Sequence, residues 1–305
     1  MKKTLLLICS LFGVVILMGQ SLDEVKQLLY HEKYSSAENR LHTILKNNAS
    51  EAEAWYLLSE VYLKQNKISK IEDSLKLAPA DVQNDPLFNI ARGSVLLQKN
   101  SITNGWTYFN NALKATKEKN ADVLLAVAKA NIIADKGDIQ KAIELLKKAI
   151  KKTKHKEEVY TALGDAWLKL HDASQAYQNY QSAIRENSQF AVPMYKLGMI
   201  FFAQKNPDMY LKFFNQAIMA DPLFAPAYYR MYFHYYFRNV NAAMEYLQKY
   251  MATADHSLKM DYDKTDLLYL TKKYNDAILE AKRLIQEEKE KVQPRIYKLI
   301  AYSYK

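Results

Sequence analysis

The chain of 305 residues is 49% hydrophobic, enough for an extended core, and its 7 Gly and 7 Pro residues predict few turns. This composition indicates a nearly all-helical protein. The single cysteine, Cys9, excludes a disulfide within the chain. The formal charge of +10 is a moderate excess, and because no zinc-finger, homeodomain or RNA-binding signature accompanies it, nucleic acid is not expected as a partner.

The N-terminus has the pattern of a signal peptide. Lys2 and Lys3 precede an apolar run that ends at Met18, and the small residue Gly19 follows. The run is shorter than the roughly 20 apolar residues that a membrane-spanning helix requires. We therefore predict a signal peptide over residues 1–19 and an exported, periplasmic mature chain. The alternative is an uncleaved N-terminal segment that tethers the protein to a membrane.

From residue 20 onward the chain carries an internal repeat. Gly164 and Gly198 are 34 residues apart. The same interval separates Ala142 from Ala176, Ala149 from Ala183, and Ala183 from Ala217. Four segments align on it: EAWYLLSEVYLKQNKISKIEDSLKLAP from Glu53, ARGSVLLQKNSITNGWTYFNNALKA from Ala91, EVYTALGDAWLKLHDASQAYQNYQSAIREN from Glu158, and VPMYKLGMIFFAQKNPDMYLKFFNQAIMADP from Val192. Each alignment predicts a helix, a tight turn and a second helix.

Weaker copies of the repeat lie at both ends. HEKYSSAENRLHTILKNN matches the second helix of a pair and follows a polar helix that could serve as a cap. KKYNDAILEAKRLIQEEKEK matches another second helix, and the final PRIYKLIAYSYK matches a first helix through Tyr297, Ile300, Ala301 and Tyr304. Because that last helix is apolar where a cap would be polar, we expect the chain to continue beyond it, with a capping role as the alternative.

These positions resemble the tetratricopeptide-repeat (TPR) family. One repeat matches the family pattern at Tyr160, Leu163, Gly164, Trp167, Ala176, Tyr180 and Ala183, and another at Leu197, Gly198, Phe201, Phe214, Ala217 and Pro222. The resemblance implies an all-α, TPR-type α-solenoid of antiparallel helix pairs in a right-handed superhelix. Residues 20–305 would then form a continuous TPR array of about eight helix pairs. Together with the predicted signal peptide, the chain resembles exported TPR proteins of Bacteroidota-type bacteria.

The stretch YYRMYFHYYF at residues 228–237 carries the largest cluster of aromatic residues. Its ten residues are too few to span a membrane, Arg230 and His234 interrupt it and Arg238 follows it, so it is not a membrane segment. On a helix, Tyr228, Met231, Tyr232 and Tyr235 fall at packing positions, with Tyr232 where the family prefers Gly. The remaining rings, Tyr229, Phe233 and Tyr236, are spaced at i, i+4 and i+7 and form a second stripe on the opposite face.

That second face lines the concave groove of a TPR superhelix, according to the resemblance. The candidate groove residues in three successive repeats are Tyr195, Met199 and Phe202, then Tyr229, Phe233 and Tyr236, then Tyr262 and Tyr269. Rigid aromatic rings and methionine are favoured anchors for a peptide or helix. The alternative is that these rings pack against neighbouring repeats. Earlier repeats place Glu53, Tyr56 and Glu60, or Glu158, Thr161 and Asp165, on this face, which predicts an acidic groove there.

Residues for catalysis or metal binding do not cluster in the sequence. The six histidines are scattered, no zinc-protease helix, GxSxG elbow or phosphate loop occurs, and the carboxylate-binding Lys and Asn of chaperone-binding TPR domains are missing. We expect no enzymatic activity, no cofactor and no metal.

The prediction is a non-catalytic scaffold in the cell envelope that binds a peptide or protein partner. Two alternatives remain: a structural subunit of an envelope, outer-membrane or secretion assembly, and the TPR front end of a longer protein.

Overall fold

The computed structural model describes residues 22–304, so the predicted signal peptide over 1–19 lies outside the described residues. The helices within this range are α1 22–30, α2 Tyr34–Asn47, α3 Ala52–Lys64, α4 Ile68–Lys76, α5 Pro86–Gln98, α6 Ile102–Ala115, α7 Ala121–Ile133, α8 Ile139–Ile150, α9 Lys156–Lys169, α10 Ala173–Glu186, α11 Ala191–Ala203, α12 Pro207–Ala220, α13 Ala225–Tyr235, α14 Val240–Thr253, α15 Leu258–Leu270, α16 Tyr274–Glu288 and α17 Arg295–Ser303. Short 3₁₀ segments lie at Ala80–Val82 and Lys289–Lys291. The described residues contain no strand, which confirms the predicted all-α class.

Consecutive helices form pairs, and the pairs stack side by side. Within a pair, α5 packs on α6, α7 on α8 and α9 on α10. Between pairs, the first helices lie next to one another, since α3 packs on α5, α5 on α7 and α7 on α9. The turns inside most pairs are only a few residues long, and such short turns join antiparallel helices. The predicted arrangement of helix pairs is therefore present.

Polar side chains at the turns start many of the helices. The side chains of Asp85, Asn120, Asp138, Asp172 and Asn206 each accept a hydrogen bond from a backbone N–H in the first turn of the helix that follows. These N–H groups have no partner inside the helix, so each cap stabilises its helix by about 1 kcal/mol.

The turn inside many pairs depends on one residue in the left-handed region. This residue is Glu32, Asn66, Asn100, His171, Lys205 or Lys272, with φ values between 55° and 61°. His171 stands where the family prefers Gly. Its φ of 61° shows that the left-handed backbone conformation forms here although the residue has a Cβ. The tight turn predicted inside the segment from Glu158 is therefore present, with His171 between α9 and α10.

Small residues lie where the two helices of a pair cross. A Cβ added at Gly93, Gly164 or Gly198 would lie under 3.0 Å from a ring of the second helix, which is Phe109, Tyr180 or Phe214 respectively. Each ring stands sixteen positions after its glycine and is fully buried or nearly so. The glycine and the ring thus form one packing unit, as the predicted pattern requires.

Tyr232 stands where the family prefers Gly. Its large ring fits because the second helix of this pair has no aromatic residue at the position that faces the glycine in other pairs. Its ring is 4% exposed and belongs to the same core as Ala243 and Leu247 of α14. Sixteen positions later the chain has the exposed Gln248 instead of an aromatic residue. The first helix of this pair therefore supplies the ring that the second helix supplies elsewhere.

The chain divides into two compact units at the Leu197–Gly198 bond. The first unit ends at Leu197 and contains two apolar clusters, one around Leu41, Leu58 and Phe88 and the other around Leu124 and Leu146. The second unit begins at Gly198, and its core from α13 onward is formed by residues such as Tyr232, Leu247, Leu267, Leu284 and Ile296.

Helix α17 packs in a register that differs from the predicted one. The sequence places Tyr297, Ala301 and Tyr304 at family positions, but Tyr297 is 52% and Tyr304 is 67% exposed. The buried residues are Ile296 and Leu299, one turn apart on the face that contacts α15 and α16. The aliphatic side chains fill the core here and the tyrosines face outward.

Between residues 22 and 304, no helix combines the length and the apolar character that crossing a bilayer would require.

Candidate functional site

The aromatic stretch lies on α13 and has two different faces. Tyr228, Met231 and Tyr232 are buried, with 6%, 1% and 4% of their surface exposed. On the other face, Phe233 is 52% exposed, and Tyr229 and Tyr236 are half-buried. The helix itself ends at Tyr235, so Tyr236 is the cap residue. We call Tyr229, Phe233 and Tyr236 the aromatic stripe. Its separation from the packing face follows the predicted helical spacing.

Neighbouring rings hold the stripe in place. Tyr229 lies 5.2 Å from the ring of Tyr250 on α14, and Phe233 lies 6.3 Å from the ring of Phe202 on α11. Tyr236 contacts Tyr232 edge to face at 5.7 Å. The stripe therefore packs on neighbouring rings through Tyr229 and Tyr236 and exposes about half of Phe233, and the predicted binding role stays a prediction.

Charged residues surround the stripe. The Arg230 guanidinium lies 5.6 Å from the ring of Phe202, and the Lys259 ammonium lies 5.5 Å from the ring of Tyr229. Lys259 pairs with Asp263 at 2.5 Å. Side-chain exposure is 63% for Lys259 and 14% for Asp263, so the positive end of this pair faces solvent.

A second ion pair on the same side has the same orientation. Arg295 binds Asp266 at 2.7 Å, with side-chain exposures of 48% and 16%. Burial raises the pKa of Asp266, although Arg295 opposes the rise. Burial and the nearby Asp266 and Asp263 raise the pKa of Tyr236. The phenol therefore stays neutral and can both donate and accept a hydrogen bond.

Tyr262 lies in the core, which corrects its predicted place in the groove. Its ring is 2% exposed, and its hydroxyl donates to Glu288 at 3.1 Å and accepts from the Gln293 N–H at 2.9 Å. The hydroxyl thereby fixes the segment that joins α16 to α17. Tyr269, predicted for the same groove, is half-buried and lies 5.6 Å from the ring of Tyr274.

The remaining groove candidates are on α11 and divide between the units. Tyr195 belongs to the first unit, whereas Met199 and Phe202 belong to the second. All three are half-buried. Within the second unit, Phe202 is therefore the groove candidate whose ring contacts Phe233, and Tyr229 and Tyr236 lie before and after Phe233 on the same face of α13.

The acidic groove predicted for the first unit is neutralised by lysines. Lys26 binds Glu53 at 2.8 Å, Lys129 lies 3.5 Å from Glu158, and Lys196 binds Asp165 at 3.0 Å. Each pair joins the first helices of two different repeats. We call the surface formed by Tyr56, Glu60, Lys129, Glu158, Asp165 and Lys196 the inner face of the first unit.

The Lys129 ammonium on the inner face interacts with acidic side chains from two other helices. Burial lowers the pKa of Lys129, but Glu158, Glu60 and then Asp165 outweigh it and leave the pKa raised. These acids come from α3 and α9, on either side of α7. The sequence comparison missed Lys129 and Lys196 because it aligned each repeat by itself, whereas the ion pairs form between repeats.

His234, which interrupts the aromatic stretch in the sequence, is buried. It is 7% exposed, and its Nδ1 lies 2.6 Å from the Tyr210 hydroxyl. Tyr210 occupies the position of a small residue in the family pattern. The two residues thus form a polar contact between successive helix pairs, which Arg238 extends by donating to the His234 carbonyl at 2.8 Å.

His234 should make the stability of the protein depend on pH. Burial, and then the positive charge of Arg238, lowers its pKa in the folded chain. Because an unfolded histidine titrates at about pH 6.5, the folded state binds fewer protons just below that pH. The histidine's contribution is therefore fully present above about pH 6.5 and is lost as the pH falls below it. We expect Tm to fall more in the parent than in His234→Gln between about pH 7.5 and 5.5. Equal falls in thermal melts would contradict this role.

Metal binding has no geometric support in the described chain: among residues 22–304, no three His, Asp or Glu side chains form a group that could hold an ion.

Comparison with known proteins finds the tetratricopeptide repeat in one part of the chain and a similar fold over most of it. A family model described as tetratricopeptide repeat matches residues 22–70. Among curated protein sequences, none matches this chain. The fold is similar to a chain of the APC/C hetero-tetramer Cut9–Hcn1, with 14% identity, a TM-score of 0.53, and coverage of 93% of this chain and 55% of that one. It is also similar to the human IFIT1 dimer with m7Gppp-AAAA, with 15% identity, a TM-score of 0.55, and coverage of 89% and 67%.

These similarities confirm the predicted TPR-type α-solenoid and concern the fold alone. This chain spans about half the length of the Cut9–Hcn1 chain that it matches.

Proposed function

We propose that the protein is a non-catalytic interaction scaffold that binds a segment of a partner protein on the aromatic stripe of the second unit. The observation that carries this proposal is Phe233, which is 52% exposed at the centre of a ring cluster whose other members are held in place. A rigid, exposed aromatic ring surrounded by ordered rings is the usual form of an interface anchor. TPR arrays as a class bind proteins, which supports the same reading.

The charges around the stripe favour a partner that is both apolar and acidic. Lys259 and Arg295 expose their positive ends, whereas the carboxylates of Asp263 and Asp266 are mostly covered. The whole chain also carries a formal charge of +10. A partner carboxylate could therefore approach the cations without meeting an exposed acid, while an apolar side chain covers Phe233.

Phe233→Glu should weaken binding strongly and leave the fold intact. The change places a negative charge at the centre of the surface and removes the anchor, which should weaken binding by about 2 kcal/mol or more. Leu279→Glu is the control, because Leu279 is 70% exposed and lies on α16, which carries no residue of the aromatic stripe or of the two ion pairs beside it. Calorimetric titration of each variant with the isolated partner measures the loss. A partner that binds Phe233→Glu as tightly as the parent would disprove the site.

The partner is to be isolated by affinity capture on the mature chain from a cell-envelope fraction. This source follows from the proposed export, which rests on the basic start and apolar run of residues 1–19. N-terminal sequencing of the native chain from the same fraction should give a start near Gln20. A native chain that begins at Met1 would instead support the membrane-tethered alternative.

A further inference from the structure

The first unit contains a contact between its two ends. The Ala191 N–H donates a hydrogen bond of 2.9 Å to the Tyr30 hydroxyl, across 161 positions of the sequence. The Tyr30 ring also stacks on Phe190, with centroids 5.4 Å apart and an angle of 26°. Tyr30 is the last residue of α1, and Ala191 is the first residue of α11. The first repeat of the unit thus contacts the start of the sixth.

Electrostatic interactions around this contact extend it toward the inner face. Burial raises the pKa of Tyr34, and the charges of Glu32 and Glu60 raise it further. Burial lowers the pKa of Lys196, but Asp165 and Glu32 outweigh it. Glu32, in the turn after α1, therefore lies within range of Lys196 on α11. Tyr30 at the end of α1 and Glu32 just after it therefore interact with Ala191 and Lys196 of α11 respectively.

We propose that the contact of Tyr30 with Phe190 and Ala191 is a reversible latch that closes the inner face of the first unit. Five stacked helix pairs separate α1 from α11 in the sequence, and the contact between these two helices closes the inner face on one side only, because the side chains of Lys129 and Glu158 are still 37% and 46% exposed. A chain segment that is to reach Lys129 or Glu158 from this side must first separate Tyr30 from Phe190.

The chemistry of the contact suits opening and closing. The first N–H groups of a helix have no acceptor inside it, so Ala191 can exchange the Tyr30 hydroxyl for water when the latch opens. Both rings are half-buried, so their separation exposes a limited apolar area. In the closed state, Lys129 and Lys196 are paired with Glu158 and Asp165. When the latch is closed, these lysines of the inner face therefore keep their carboxylate partners.

Hydrogen exchange at single-residue resolution tests the latch on the full chain. The Ala191 amide should be protected, although a first helical amide ordinarily is not. Its protection should nevertheless be well below that of core amides in α9, such as Leu163 and Ala166, because the latch opens locally. An unprotected Ala191 would show that the contact does not form. Protection equal to the core would show that it does not open.

Tyr30→Phe separates the hydrogen bond from the ring contact. Loss of the hydroxyl should reduce protection of Ala191 about fivefold, the effect of one hydrogen bond, and leave the core amides of α9 unchanged. Tyr177→Phe is the matched control, since it removes a tyrosine hydroxyl elsewhere in the same unit. Unchanged protection of Ala191 in Tyr30→Phe would overturn the assignment of this hydrogen bond.

Access to the inner face is measured by acetylation of lysines with sulfo-N-hydroxysuccinimidyl acetate. In Tyr30→Ala, labelling of Lys129, whose side chain is 37% exposed in the closed state, should rise about twofold, while labelling of Lys148, which is 45% exposed and pairs with Glu118 of the turn after α6, stays constant. A rise at both lysines would indicate general unfolding, and no rise at Lys129 would show that the contact does not close this surface. Either result overturns the gating role.

Discussion

Tyr180→Ala is expected to lower the free energy of unfolding by about 3–5 kcal/mol, the cost of removing a large buried ring. Tyr180 is fully buried, and its ring faces Gly164 where α9 crosses α10. Because glycine offers no side chain to fill the space, the cavity cannot close from that side. The hydroxyl also donates to Asp165 at 2.6 Å. Urea unfolding followed by circular dichroism measures the effect.

Two control variants separate the ring from its hydroxyl. Tyr180→Phe keeps the packing and should cost only about 1.5 kcal/mol, because Asp165 remains paired with Lys196. Tyr177→Ala, on the same helix but 37% exposed, should cost less than Tyr180→Ala. If Tyr180→Ala were as mild as Tyr177→Ala, the glycine–ring packing unit would not be a main source of stability.

Gly198→Leu is the second change with a large expected effect and acts in the opposite direction, by adding volume. A Cβ at Gly198 already lies under 3.0 Å from Phe214, so a leucine must displace this ring or move α11 away from α12. Overpacking at such a helix crossing should cost about 3 kcal/mol or more. The same urea titration measures it, with the exposed Met219→Leu as the control.

A compensating change tests whether volume is the cause. Phe214→Ala alone should destabilise the protein by leaving a cavity, but combined with Gly198→Leu it provides space for the leucine. The double variant should therefore be more stable than the sum of the two single effects predicts, by about 1 kcal/mol or more. Simple additivity would mean that Gly198→Leu acts through the helix backbone and not through the ring of Phe214.

The features that the sequence predicted correctly are those that depend on a single repeat. Gly164, Tyr180 and Ala183 belong to one helix pair, and their spacing is set by helical geometry alone. The division of α13 into a buried face and the aromatic stripe follows from the same period. His171 could be placed in its turn because the turn has a fixed length.

The features that could not be predicted from the sequence depend on contacts between repeats. Tyr262 has the spacing of a groove residue, but the segment between α16 and α17 covers it and bonds its hydroxyl through Gln293. Lys129 neutralises a carboxylate one repeat away, and His234 finds its partner Tyr210 in the preceding pair. A pattern within one repeat contains no information about how far its neighbours are rotated, and this rotation decides which side chains meet.

The hydrogen bond between Tyr30 and Ala191 also makes the first unit sensitive to its own number of repeats. Contacts in a stacked array are otherwise local, so such an array tolerates the gain or loss of a repeat as a change in length. Here the two ends meet only if five pairs, each with its own small rotation, bring α1 back to the start of α11. Deletion or duplication of one pair would leave the Tyr30 ring facing a different surface. The number of helix pairs in this unit is therefore fixed by the contact between its two ends, whereas an open array can have any number of pairs.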